Sequence, residues 1–221
     1  MHARFLGPAL AGLLAMVAAS ALAQTAPPAG AAAAPATPPA PAPAQVTRIR
    51  GTIEKVSDHE LVVHGRDGST VNITLMDPLT VATLKRVPLS AIKDDTYVGI
   101  ASRNGQSGTA EALEVLVFPP AMRGAGAGHY AWDLEPGSMM TNAPVTGVVK
   151  TGAGRTLTLT YKDGTFTVHV PQRTEIVTFA PATRDDLKPG RQVFVIAHKD
   201  ASGNLAAPRV TVGTHGVNPP M

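Results

Sequence analysis

A segment near the middle of the chain carries the residues best suited to hold a metal ion. Met122, His129, Met139 and Met140 lie close together in the sequence, with Asp133 between them. Thioether and imidazole groups are soft ligands of the kind that bind Cu(I). This set is therefore compatible with a copper site, although its spacing matches no ligand motif known to us.

The same segment can also be interpreted as a structural plug. It contains the single tryptophan of the chain, Trp132, together with Tyr130, Asp133 and Leu134. Aromatic rings and flexible methionines often fill irregular gaps between packed elements. We expect this plug rather than the metal site, and hence no cofactor, with copper as the alternative.

Histidines and acidic pairs elsewhere in the chain do not favour catalysis. The other histidines of the mature chain are scattered over predicted turns and strands. The pairs Asp94-Asp95 and Asp185-Asp186 are adjacent, so their side chains point in different directions, and they suit turn capping better than acid–base work. The chain has no cysteine and no Gly-x-Ser-x-Gly sequence. We predict that the protein is not an enzyme.

Composition also argues against nucleic acid as a partner. Aromatic residues make up 4% of the chain and the formal net charge is +3, with the basic residues dispersed singly. Surfaces that bind single strands need stacking aromatics and a basic groove. The glycine run at Gly124, Gly126 and Gly128 is not followed by the Lys-Ser/Thr pair of a phosphate loop, so it predicts a linker.

The candidate residues lie between two copies of one sequence pattern. Leu61 and Asp67-Gly68 are matched by Leu157 and Asp163-Gly164 at an offset of 96 positions, and Gly51 is matched by Gly147. Further along the chain the offset falls to 95, which indicates that one residue was lost between the copies. The pattern predicts two repeats of the same fold.

Within each copy, apolar and polar residues alternate on both sides of the Asp-Gly pair, which predicts a β-hairpin. In the first copy we expect Pro78 to end the third strand, and a short helical turn over 89–95 with Ser90 as its cap. Two closing strands complete the set. This order predicts an all-β fold of two tandem small OB-like barrels, with SH3-like barrels as the alternative.

The first 23 residues resemble a secretory signal peptide, with an apolar run too short to span a membrane and the small residues Ala21 and Ala23 before a cleavage point. The Ala/Pro composition that follows predicts a disordered tether. The expected organisation is a signal peptide (1–23), a disordered linker (24–45), the first barrel (46–119), an inter-module linker (120–143), the second barrel (144–216) and a tail (217–221).

Three stretches resemble a known family. They are the repeated unit that begins at Arg50-Gly-Thr-Ile53, the Asp186-Leu-Lys-Pro-Gly190 turn and the sequence Phe118 to Gly124. Over roughly residues 46–221 the chain is similar to bacterial exported proteins with the DUF5666 domain, a family of unassigned activity. The resemblance implies export and transfers no functional residues.

Taken together, these patterns predict an exported, non-catalytic binding or scaffolding protein of the periplasm or cell envelope. Its partner would be an envelope protein or a small ligand, and no membrane span would remain after signal cleavage. The segment from Met122 to Thr141 is the expected place of the site. A periplasmic copper-binding protein is the alternative.

Overall fold

The structure, a computed structural model, describes residues 45–105, 108–152, 154–200 and 202–219. The predicted signal peptide and residues 24–44 of the predicted linker lie outside these ranges. Twelve strands are described: β1 (Gln45–Val56), β2 (Glu60–Gly65), β3 (Thr70–Arg86), β4 (Tyr97–Asn104), β5 (Ala110–Val117), β6 (Gly128–Ala131), β7 (Met139–Thr151), β8 (Gly154–Tyr161), β9 (Gly164–Pro171), β10 (Glu175–Pro181), β11 (Gln192–Lys199) and β12 (Leu205–Val212).

The first barrel closes through five strands. Its strands are hydrogen-bonded to one another in the order β1, β2, β3, β12, β11 and back to β1. The pair of β3 and β12 is parallel and the others are antiparallel, which is the arrangement of a five-stranded Greek-key barrel of the OB type. Fully buried Ile53, Leu61 and Ile73 fill its interior. Burial of each such side chain contributes about 1.5 to 3 kcal/mol to the free energy of unfolding.

The second barrel repeats this arrangement with β7, β8, β9, β5 and β4. Its core includes Leu157, Leu159 and Val168, all fully buried. The predicted all-β fold with five-stranded barrels is confirmed.

Strand exchange between the two copies was not predicted. The first barrel takes β1, β2 and β3 from the first copy but is closed by β11 and β12 from the second. The second barrel takes β7, β8 and β9 and is closed by β4 and β5 of the first copy. The expectation that 46–119 and 144–216 each form a barrel alone is therefore corrected.

The path of β3 is the physical reason for this exchange. β3 does not end at Pro78, as predicted, but runs on to Arg86. Proline lacks an N–H group, and here it falls where the register between β3 and β12 shifts, so no ladder hydrogen bond is lost. The chain leaves the first barrel as an extended strand and enters the second, where Leu89–Ala91 forms a single helical turn without the predicted Ser90 cap.

The end of β3 pairs antiparallel with β10, and Leu84 lies opposite Phe179 at the middle of this pair. Because these residues are equivalent in the two copies, the pair marks an approximate twofold axis. The same axis relates the pair Leu205–Ile73 of the first barrel to the pair Ala110–Val168 of the second barrel.

Strand register also corrects one alignment between the copies. Gly51 pairs with Val193, whereas the equivalent position of β4, Val98, pairs with Ala143. Ala143, not Gly147, is therefore the counterpart of Gly51. The β7–β8 hairpin is longer than the β1–β2 hairpin, and this length accounts for the difference.

Both predicted Asp-Gly hairpins form, but with different turns. In the first copy Gly68 adopts a positive φ of 83° inside the loop 65–69. In the second copy Gly164 pairs with Tyr161, so the turn has only two residues. The residue lost between the copies therefore lies in this turn.

Within the described residues, no helix is long and apolar enough to cross a membrane.

Candidate functional site: a pocket between the barrels

A pocket of about 210 Å³ lies where the outer faces of the two barrels meet. Its volume exceeds the roughly 150 Å³ of a cavity that holds benzene, but it is smaller than a drug-sized site of about 300 Å³ or more. The inter-barrel pocket is lined by Gly99, Leu116, Phe118, Met122, Ala125, Gly126, Tyr130, Trp132, Met140, Asn142, Phe179, Phe194, Ile196, Arg209 and Thr211.

Strand alternation places these residues on the outer faces of the barrels. In β11, Val193 and Val195 point into the first barrel, so Phe194 and Ile196 point out of it. In β5, Val115 belongs to the core of the second barrel, so Leu116 points outward. The outward residues form a third apolar cluster, which contains Leu84, Leu116, Val177, Phe194 and Val217.

The segment between the copies covers one side of the pocket. Part of the predicted linker 120–143 is a strand, because β6 pairs with β7 at the edge of the second barrel. Tyr130 in β6 and Trp132 directly after it line the pocket, whereas His129 points to the opposite face of β6. Trp132 packs on Phe194 of the first barrel, with ring centroids 6.2 Å apart. Trp132 therefore connects the two barrels.

Two arginines of β1 hold this segment on the first barrel. The guanidinium of Arg48 lies 4.3 Å from the centroid of the Trp132 ring. Arg50 is buried, lies 4.7 Å from the Phe194 centroid and forms an ion pair of 2.9 Å with Asp133. Burial lowers the pKa of Arg50, and the hydrogen bond to Asp133 opposes that shift.

Asn142 connects the pocket wall to the glycine turn. Its Nδ2 donates to the carbonyl of Gly126 at 3.1 Å and to the Tyr130 hydroxyl at 3.1 Å. Asn142 Oδ1 and Trp132 Nε1 are buried and have no hydrogen-bond partner among the described residues. A buried polar atom without a partner costs about 1 to 3 kcal/mol, so two lining residues carry unused hydrogen-bonding capacity.

Arg209 supplies a positive charge to the pocket. It is exposed on β12, and its Nη1 lies 3.9 Å from Met122 Sδ. Among the described residues no carboxylate lies within ion-pair distance of Arg209, whereas Arg50, Arg86, Arg103, Arg123 and Arg184 each have such a partner.

The two copies differ in the residues that they contribute to the pocket. Gly99 pairs with Leu116 and its counterpart Phe194 pairs with Thr211. A Cβ atom at position 99 would lie 2.6 Å from Asn142 Oδ1 and 3.0 Å from the Phe118 ring. The phenyl group of Phe194 thus has no equivalent at Gly99, where Asn142 and Phe118 pack against the backbone instead.

A buried carboxyl lies on the same outward face. Glu114 is 2% exposed, and neither carboxyl oxygen has a hydrogen-bond partner among the described residues. Burial, followed by the negative charge of Glu175, raises the pKa of Glu114 to about 8, and the charge of Arg50 opposes the shift. Glu114 therefore carries a proton at neutral pH.

The structure does not bring the predicted copper set together. Met122 and Met140 line the pocket. His129 lies on the other face of β6, where its ring packs 4.8 Å from that of Phe166 and its Nδ1 is 2.8 Å from Thr141 Oγ1. Met139 is not part of the pocket lining. In the described ranges no group of three or more His, Asp or Glu residues is placed to hold a metal ion.

Some lining residues of the pocket were not predicted from sequence. Phe118, Phe179, Phe194 and Arg209 lie in or beside strands of both copies, outside the inter-module segment that was expected to hold the site. One signal was present, because Val193 to Ile196 is a continuous apolar run, and such a run is typical of a strand buried on both faces.

Comparison of the chain with protein-family models, with curated proteins and with solved structures gave no match.

Proposed function

We propose that this chain is an exported, non-catalytic binding protein whose inter-barrel pocket takes a small, largely apolar molecule. The observation that carries the proposal is the pocket itself, which has aromatic walls and a few polar groups in its lining. Ligand sites in proteins have this composition, with polar groups that fix the orientation of the ligand.

The concave shape favours a small molecule over an envelope protein as the occupant. Four phenyl or indole rings face a volume of about 210 Å³, which suits one or two aromatic rings or a short branched chain. A protein partner would need a broad surface of roughly 800 Å² on each side.

The polar lining groups suit binding rather than catalysis. The described lining contains Tyr130, Asn142, Arg209 and Thr211, without a carboxylate or an imidazole. General acid–base chemistry relies most often on such groups. The predicted signal peptide supports a location in the periplasm or outside the cell.

The proposal is tested with 6-propionyl-2-(dimethylamino)naphthalene, a neutral two-ring dye whose fluorescence shifts to the blue in apolar sites. The wild-type chain should bind it saturably, with one site per chain. Ala125→Phe places a phenyl group in the pocket and should weaken binding about tenfold or more, since the volume is already small.

Ala121→Phe is the matched control, because Ala121 is exposed in the same segment and outside the lining. It should bind the dye within about twofold of wild type. Absence of saturable binding by wild type, or equal loss in both variants, would contradict the proposal.

A further inference from the structure

We infer that the ligand of the inter-barrel pocket is a small aromatic carboxylic acid, with its ring between the phenyl and indole walls and its carboxylate on Arg209. This inference rests on the proposed function and adds the chemical class of the ligand. Its three supports are the geometry of the rings, the charge of Arg209 and the volume of the pocket.

The aromatic walls are arranged to receive a flat ring. Phe118 and Phe179 pack with ring centroids 6.3 Å apart and their planes inclined by 54°. Tyr130 and Trp132 pack at 6.1 Å with an angle of 64°. All four rings line the pocket, and aromatic rings prefer such offset or edge-to-face contacts with a further ring.

Arg209 is the group that distinguishes an acid from a neutral ring. It is exposed, lies in the pocket lining and has no carboxylate partner among the described residues. The guanidinium contacts Met122 Sδ, which is only a weak acceptor. Carboxylate and phosphate are the anions that a guanidinium binds in a bidentate manner, with two parallel hydrogen bonds. The carboxylate is the smaller of the two and carries a single charge, so it suits a pocket of about 210 Å³ with one arginine.

The other arginines near the pocket are already engaged. The guanidinium of Arg48 lies over the Trp132 ring, and Arg50 is paired with Asp133. Arg209 is the one arginine or lysine in the described lining, which matches an acid with one negative charge. The volume of about 210 Å³ limits the aromatic part to one or two fused rings.

The inference is tested by isothermal titration calorimetry at pH 7 with two probes of the same shape, 2-naphthoate and its neutral amide, 2-naphthamide. Wild type should prefer naphthoate about tenfold or more, because a charge-assisted hydrogen bond contributes roughly 1.5 to 3 kcal/mol. Arg209→Gln should remove this preference and leave the affinity for naphthamide within about twofold.

Arg173→Gln is the charge-matched control, since Arg173 is exposed and outside the lining. It should keep the preference for naphthoate. Equal binding of the two probes by wild type, or an unchanged preference in Arg209→Gln, would overturn the carboxylate assignment while leaving the proposed function intact. Absence of binding for both probes, together with absence of dye binding, would overturn both proposals.

Discussion

At the residue scale, Glu114 is a buried acid that remains protonated at neutral pH. Its carboxyl oxygens have no partner among the described residues, and burial and then Glu175 raise its pKa to about 8. The folded chain therefore binds a proton more tightly than the unfolded chain, whose ordinary value for this group is 4.5. Ionisation of Glu114 must then act against folding.

The expected consequence is a loss of stability as the pH rises. Above pH 4.5 the unfolded chain releases the proton while the folded chain keeps it up to about pH 8, so the free energy of unfolding falls across this window. The full effect is at most about 5 kcal/mol for a shift from 4.5 to about 8. Urea unfolding between pH 5 and pH 8.5 measures it.

Glu114→Gln removes the titrating group and should flatten this profile, with a gain in stability over wild type that grows toward pH 8.5. Glu60→Gln, at an exposed position, should retain the wild-type profile. Hydrogen bonds in turns lower the pKa values of Asp67, Asp186 and Asp200. Titration of these three groups therefore affects stability below this pH window. Parallel profiles for wild type and Glu114→Gln would contradict the buried acid.

At the scale of single elements, β4 contributes a residue without a side chain to the pocket lining. Gly99 faces the pocket, and Asn142 and Phe118 pack against its backbone. Asn142 is held by its own hydrogen bonds to Gly126 and Tyr130. A methyl group at position 99 would therefore force both neighbours to move.

Gly99→Ala should destabilise the fold by about 1 to 3 kcal/mol, the usual cost of overpacking. Gly147→Ala is the matched substitution in β7, where the new Cβ atom would be 3.5 Å from the nearest neighbour. Alanine at position 147 reduces the entropy of the unfolded chain, so Gly147→Ala should leave the free energy of unfolding unchanged or raise it by less than about 1 kcal/mol. Equal unfolding midpoints for the two variants in urea would contradict the close packing at Gly99.

Sequence patterns predicted the individual strands well because their signals are local. The Asp67-Gly68 and Asp163-Gly164 hairpins and the closing strands follow from alternation and turn chemistry over a few residues. Pro78 gave the wrong end for β3, because the bulge against β12 absorbs the missing N–H group.

The pocket could not be predicted because it depends on which strands become neighbours. The closing strands β4–β5 and β11–β12 carry the same pattern, so either pair would satisfy the hydrogen bonds of either barrel. The continuation of β3 to Arg86 decides the choice. The outward residues Phe194 and Arg209 line a pocket only because the second barrel lies opposite them.

At the scale of the whole molecule, exchange of closing strands joins the two barrels. The first barrel cannot close without β11 and β12, and the second cannot close without β4 and β5. The chain crosses between the barrels in β3 and again after β10. Because of this exchange, the outer faces of the two barrels pack against each other. The inter-barrel pocket is the space left between these faces.

Disulfide mapping of strand neighbours in the full chain tests this exchange most directly, since the protein has no cysteine of its own. Val46 pairs with His198 across the copies, whereas in an unexchanged barrel its neighbour would be Arg103, the counterpart of His198. Paired strand residues are close enough for a disulfide. The account predicts that a Val46→Cys/His198→Cys monomer forms the cross-link on oxidation, detected by mass spectrometry, and that Val46→Cys/Arg103→Cys does not. Cross-linking of the second pair and not the first would contradict it.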